Sequence, residues 1–173
     1  MPSNVEIKAR IDSVEQLLPK AQALSDDEHL QLIHQDDTFF AVPNGRLKLR
    51  EFADGAGELI HYLRPDAEGP KVSDYLIAPV TDPDALRDTL ERACGLLGRV
   101  RKQRILVLVG QTRVHLDRVE GLGDFIELEV VLTPGQDAAE GRRIAHELMQ
   151  ALGVDESALV PNAYLDLLLA GHR

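Results

Sequence analysis

The stretch Gly121–Val131 reads GLGDFIELEVV, with Glu127 and Glu129 alternating with Ile126, Leu128 and Val130. Side chains alternate across a strand, so the two carboxylates share one face, about 6–7 Å apart, and the aliphatic residues mark the opposite, core-facing side. Like charges this close repel unless water or cations screen them. One such strand reads equally as a solvated face or as a cation site. What distinguishes the two is that other stretches carry the opposite charge in the same phase. Arg46-Leu47-Lys48-Leu49-Arg50 puts three cations on one face, and Lys102 and Arg104 repeat the pattern. Glu6, Lys8 and Arg10 alternate with Val5, Ile7, Ala9 and Ile11, while Arg113, His115 and Asp117 alternate with Val114, Leu116 and Arg118. Arg64 is in phase with Tyr62, and Lys71 opens a further strand-like run.

A cavity lined by Lys8, Arg10, Arg46, Lys48, Arg50, Arg64, Lys71, Lys102, Arg104 and Arg113 must hold an anion, or mutual repulsion disfavours the fold. A polyphosphate suits it, because arginine engages oxygens in pairs and lysine acts as a point charge. The acids Glu6, Asp117, Glu127 and Glu129 are wrong for phosphate by themselves. They make sense with Mg²⁺ or Mn²⁺ between them and the phosphate oxygens, since hard cations take carboxylates, waters and substrate phosphates. Metal and cations would then neutralise charge developing on a reacting phosphoryl group. His115 reads as a hydrogen-bonded lining residue, and Tyr164 as an anchor of a terminal helix. No Walker, dinucleotide-binding or Ser-His-Asp signature is present.

The elements that must position these residues follow from periodicity. Strands are expected at Val5–Ile11, His29–Val42, Arg46–Arg50, Glu58–Pro65, Lys71–Val80, Leu97–Val109, Thr112–Val119 and Gly121–Val131. Pro43-Asn44-Gly45, Ala53–Gly57 and Gly110-Gln111 mark turns. A helix capped by Asp12 runs to about Leu24, interrupted by Pro19. A second starts at Asp82-Pro83 with a stripe of Leu86, Leu90, Ala93 and Leu97. A third starts at Thr133-Pro134 and ends at Gly153, and a short helical tail spans about Asn162–Ala170.

Eight strands joined by short turns make a mainly antiparallel sheet, and three main helices are too few to flank a parallel one on both faces. A closed barrel puts one strand face inside. With the ionic face inside, helices must cover the apolar exterior, and the chain supplies apolar-striped helices. The expected architecture is therefore α+β: an eight-stranded antiparallel tunnel with a charged interior and helices outside, formed by residues 1–173 as a single domain.

Composition agrees. Of 173 residues, 44% are hydrophobic, enough for a substantial core, and the net charge of −10 disfavours nucleic-acid binding. The basic residues concentrate in the strands, so an acidic exterior surrounds a basic interior. No apolar run approaches a membrane span and the first residues lack a signal-peptide centre, so a cytoplasmic location is expected. The single cysteine, Cys94, has no partner for an internal disulfide and reads as a small core residue.

In this order, the residues resemble the CYTH family, the triphosphate tunnel metalloenzymes, which includes class IV adenylyl cyclases, thiamine triphosphatases and inorganic triphosphatases. Glu6-Ile7-Lys8 is similar to the second half of an E-x-E-x-K signature, Asp37-Thr38-Phe39-Phe40 to a D-T-Y-F segment, and Leu47–Glu51 to an L-R-L-R-E strand. Arg64-Pro65 sits where a K-G-P or R-P turn is expected, and Val100–Arg104 resembles a V-x-K-x-R strand. His115–Asp117, Gly121–Glu129 and Tyr164–Leu168 resemble the remaining segments. The forms GLGDFIELEV and NVEIKAR look most like the class IV cyclase branch.

The resemblance implies that Glu6, Asp117, Glu127 and Glu129 hold Mg²⁺ or Mn²⁺, and that Lys8, Arg46, Lys48, Arg50, Arg64, Lys102 and Arg104 bind a nucleoside triphosphate or inorganic triphosphate. Asn4 stands where the motif's first Glu would fall, which places an uncharged, poorer ligand there. The C-terminal helix lacks the lysine that some triphosphatases of the family carry. Three functions follow: a cyclase converting ATP to cyclic AMP and pyrophosphate, a triphosphatase, or a non-catalytic triphosphate or polyphosphate binder. The cyclase-like form fits best. Paired hairpins and exposed helices would also support a homodimer.

Overall fold

The computed structural model describes residues 4–63 and 74–171. Eight strands appear in chain order: β1 (Asn4–Arg10), β2 (Gln31–Phe40), β3 (Arg46–Glu51), β4 (Gly57–Leu63), β5 (Asp74–Val80), β6 (Leu96–Val109), β7 (Thr112–Val119) and β8 (Gly123–Val131). The helices are α1 (Val14–Leu24), α2 (Pro83–Cys94), α3 (Ala138–Leu152) and α4 (Tyr164–Gly171), with a 3-10 turn at Glu156–Ala158. The strands form one sheet in the order β1-β8-β7-β6-β2-β3-β4-β5, and every ladder is antiparallel. The eight antiparallel strands and flanking helices are as expected. Hydrogen-bonded closure is not seen: no ladder joins β1 to β5 among the described residues, so the sheet is open.

The two sheet faces differ as the alternation requires. On the outer face, Ala9, Val107, Val114, Leu116, Ile126 and Leu128 meet Val14, Leu17 and Ala21 of α1 and Leu148, Met149 and Leu152 of α3 in one core. Burying each large aliphatic side chain stabilises the fold by roughly 1.5–3 kcal/mol. These two helices cover the apolar side and leave the ionic side to the interior. α4 belongs to the other face. Its Tyr164 and Leu165 pack with Phe39, Val100, Val119 and Phe125.

Local chemistry sets the helix ends. The N-cap of α1 is Ser13, whose hydroxyl accepts from Gln16 N, rather than Asp12. Pro19 lies inside α1 without ending it. It is on the exposed face, where water can serve the carbonyl left without a donor. α3 begins later than expected. Thr133–Gln136 forms a turn, with Gln136 N donating to Thr133 O and Gly135 at φ 90°, and Asp137 caps the helix instead. Gly153 ends it in the left-handed conformation, as expected. α2 has no fully buried residue, and Cys94 at its end is half-buried rather than a core residue. Arg87 anchors the helix by donating to both Glu51 oxygens at 2.7 and 2.6 Å.

α3 approaches β1 at Gly141, where an added Cβ would lie 2.6 Å from Val5 Cγ2 and 2.7 Å from Leu132 Cδ2. Val5 is held at χ1 by its branching and cannot yield cheaply. Gly141→Val therefore destabilises the protein by about 1–3 kcal/mol through overpacking, measured as a lower urea midpoint with an unchanged m-value.

Candidate active site

The ladders bring the predicted carboxylates together. β1 pairs with β8 so that Glu6 faces Glu129 and Lys8 faces Glu127, while β7 sets Arg113 beside Glu129 and His115 beside Glu127. Burial raises the Glu6 carboxyl above its ordinary range, and Glu127 and Glu129 add to the rise. Glu129 is also raised, by burial opposed by Arg113 and reinforced by Glu127. Glu127 goes the other way: burial would raise it, but Arg104 and Lys8 outweigh that and keep it ionised. Asn4 Nδ2 donates to Glu129 Oε1 at 2.7 Å, so the residue at the variant motif position acts as a donor.

The cations line the same face, yet many are already matched. Arg50 donates to Asp37 from Nε at 2.8 Å and Nη2 at 2.7 Å, and Lys48 Nζ adds a third bond at 3.1 Å. Asp37 is 3% exposed, and burial alone would raise it, but Arg50 and Lys48 hold it well below the usual carboxylate range. Arg46 Nη2 meets both oxygens of Asp166 on α4, at 3.0 and 3.1 Å. Arg104 forks onto Asp117 with two 2.7 Å bonds and lies 3.4 Å from Glu127 Oε2. Sequence reasoning expected a ligand to be needed to offset the cations. The structure corrects this: buried carboxylates of the chain supply much of the compensation.

Asp117, expected among the metal ligands, is 0% exposed, and besides Arg104 it accepts from Tyr164 Oη at 2.7 Å. Both of its oxygens accept from protein donors. His115, expected to be hydrogen-bonded, is 5% exposed with no partner for Nδ1. Burial, reinforced by Arg104, lowers it to about 4, so the imidazole is neutral at pH 7. Arg10 lies at the edge of the site with its guanidinium 4.9 Å from the Phe125 ring centre. Arg64 and Lys71 lie outside the described residues. Sequence reasoning missed Asp37 and Asp166 as ion partners. For Asp37 a signal existed, its phase with Phe39 on β2, but nothing in the sequence pairs it with Arg50 rather than with solvent.

Glu6, Glu127 and Glu129 are hard oxygen donors, and two of them, Glu6 and Glu129, are raised by burial and further by neighbouring carboxylates, which suits a divalent cation. Among the described residues no group of three or more carboxylate, imidazole or thiol side chains is placed to hold a metal ion. A Mg²⁺-type ion does not need such a group, because it keeps waters and substrate phosphates alongside one or two carboxylates. Glu6, Glu127 and Glu129 are of the donor type that such an ion takes.

Comparisons with known proteins bear on the family and the fold. A family model for the CYTH domain matches residues 3–164. The chain belongs to the CYTH family. It is 26% identical over 171 residues to adenylate cyclase CyaB of Aeromonas hydrophila, a match spanning 94% of this chain and 87% of that protein. The fold is similar to a conserved hypothetical protein from Pyrococcus furiosus, with a TM-score of 0.81 at 24% identity over 95% of this chain and 99% of that one. It is also similar to HpAC1 from Hippeastrum, described as revealing a dominant triphosphatase activity, with a TM-score of 0.71 at 17% identity over 99% and 96% of the two chains. As in the resemblance, the family places adenylyl cyclases and triphosphatases on this fold. No helix among the described residues of this CYTH chain is long and apolar enough to cross a membrane.

Lys102 gives the site a thermodynamic signature. Burial, reinforced by Arg104, lowers its ammonium to about 7. A folded value below the unfolded one costs stability wherever the lysine is charged in both states, below pH 7, and the cost fades as pH rises from 7 toward 10.5. Lys102→Met should raise stability by about 1–2 kcal/mol below pH 7, with the gain shrinking above it, as read from urea midpoints across pH.

Proposed function

We propose that this CYTH chain is a divalent-metal-dependent enzyme acting on a triphosphate, and that its reaction is cyclase-like, converting ATP to cyclic AMP and pyrophosphate. One observation carries the reading: three glutamates on adjoining strands share one sheet face with Lys8, Lys102, Arg104 and Arg113. Cations alone would suit any anion, and carboxylates alone any cation. Their interleaving suits a metal-bound polyphosphate. The relationship to a protein named adenylate cyclase CyaB supports the cyclase form.

The roles follow from the chemistry of the side chains. Glu6, Glu127 and Glu129 would hold Mg²⁺ or Mn²⁺, which when bound polarises phosphate oxygens and offsets their charge. Lys8, Lys102 and Arg113 bind phosphate oxygens, and Arg104 keeps Glu127 ionised while contributing positive potential. The ribose 3′-oxygen attacks the α-phosphorus, its proton ends on solvent, and the bond to the β-phosphate oxygen breaks to release pyrophosphate. The cations stabilise the charge that grows on the leaving group.

The decisive experiment incubates the pure protein with Mg²⁺ or Mn²⁺ and either ATP or tripolyphosphate and separates the products. Cyclic AMP with pyrophosphate is the expected result. Orthophosphate, chiefly from tripolyphosphate, would replace the cyclase with a triphosphatase. Binding without any product would make the chain a triphosphate binder. Glu127→Gln and Glu129→Gln should each lower turnover by about 100-fold or more, and normal turnover in both would remove the metal assignment.

A further inference from the structure

Tyr164, the first residue of α4, stands on the charged face and is 6% exposed. Three contacts fix it. Its hydroxyl donates to Asp117 Oδ2 at 2.7 Å, and its ring meets Phe125 edge-on with centroids 5.1 Å apart at 66°. The Nζ atoms of Lys8 and Lys102 lie 4.0 and 5.1 Å from the ring centroid. Two ammonium groups expected to bind phosphate are thus gathered against one aromatic ring supplied by the C-terminal helix.

The alternative fate of Lys102 explains the arrangement. It sits on β6 two residues before Arg104, near both Asp117 and Glu127, and either carboxylate would attract it. Among the described residues Lys102 makes no ion pair and no hydrogen bond. Arg104 occupies both oxygens of Asp117, and the Tyr164 hydroxyl takes a further acceptor position on Oδ2. The lysine is left against the ring. A ring face attracts an ammonium by about 0.5–2 kcal/mol without neutralising its charge, whereas a hydrogen bond to a charged group is worth about 1.5–3 kcal/mol. A polyphosphate therefore displaces the ring readily, but would have to compete on harder terms with a carboxylate. α4 is itself held at this place by the Arg46–Asp166 pair, by Lys8 Nζ donating to Asn162 O at 3.2 Å, and by Leu165 lying over Gly98.

We propose that Tyr164 is a positioning residue of the triphosphate site: its hydroxyl keeps Asp117 on Arg104 and away from Lys102, and its ring aims Lys8 and Lys102 together for phosphate oxygens. This role rests on the triphosphate reading of the site. It makes the C-terminal helix part of the binding machinery rather than a packing element alone.

The test compares full-length wild type, Tyr164→Phe and Tyr164→Leu. In the wild type, NMR should show the ε-methylene protons of Lys8 and Lys102 shifted upfield by the ring. Tyr164→Phe should keep those shifts and Tyr164→Leu should lose them. Calorimetric affinity for tripolyphosphate should fall about tenfold in Tyr164→Leu and less in Tyr164→Phe. KM should rise by more than kcat falls in both. Wild-type affinity and KM in a folded Tyr164→Leu would overturn the role while leaving the triphosphate reading intact. Unshifted lysine protons in the wild type would also overturn it. If Tyr164→Leu fails to fold, the wild-type shifts and the Tyr164→Phe affinity decide. No binding of tripolyphosphate by the wild type would remove the triphosphate reading and this role with it.

Discussion

The buried pair of Arg104 and Asp117 is the interaction around which the charged face is built. Removing two charges from water costs several kcal/mol per ion, and a pair is tolerated only when geometry and further hydrogen bonds compensate. Here the fork is bidentate, the third bond comes from Tyr164, and Glu127 lies within reach of the same guanidinium. The pair spans adjoining strands, since Arg104 of β6 is in register with Asp117 of β7. It ties that register to α4 through the tyrosine hydroxyl. Losing either partner would leave an uncompensated charge, so strand register, helix position and site electrostatics stand or fall together.

Around this pair the interior follows a consistent rule. Arginines are fixed by aspartates: Arg50 by Asp37, Arg104 by Asp117 and Arg46 by Asp166. The guanidinium fork suits such fixed pairs, and a fixed pair has little charge left to offer a ligand. Lys102, by contrast, makes no ion pair among the described residues and lies against the Tyr164 ring, and the glutamates on β1 and β8 are crowded against one another. These aspartates are spent on the fold, while the carboxyls of Glu6 and Glu129 and the ammonium of Lys102 are pushed by burial toward their neutral forms. That burial has a cost, visible in the lowered Lys102 ammonium and the raised Glu6 and Glu129 carboxyls, and a ligand carrying both metal and phosphate would relieve both signs. Sites that bind ions commonly sacrifice stability in this way.

The outer face contributes by being ordinary. α1 and α3 bury the alternate residues of β1, β6, β7 and β8 in one apolar core, with no charged member. Because this core fixes which face of each strand is covered, a one-residue slip would drive charges into it, and the register is strongly specified. The functional face inherits its geometry from the packing behind it.

The sequence by itself determined the strands, their phase and the set of residues on the charged face, because period-two alternation of charged with aliphatic residues is a local property. Hence the eight-stranded antiparallel sheet, its helix-covered apolar side and the Glu127/Glu129 pair were legible in advance. Helix ends were less so: Asp12 and Thr133 offered cap chemistry equal to that of Ser13 and Asp137, and only the path of the chain chose between them. The partners of each charge were decided by tertiary structure alone. Asp37 and Arg50 meet through a β2–β3 register, Arg46 meets an aspartate 120 residues away, and Asp117 meets Tyr164 from 47 residues away. No local pattern encodes such distances. A carboxylate reads the same in sequence whether it will hold a metal or an arginine. Only the fold placed Arg104 and Tyr164 on Asp117 and set Glu6 beside Glu129.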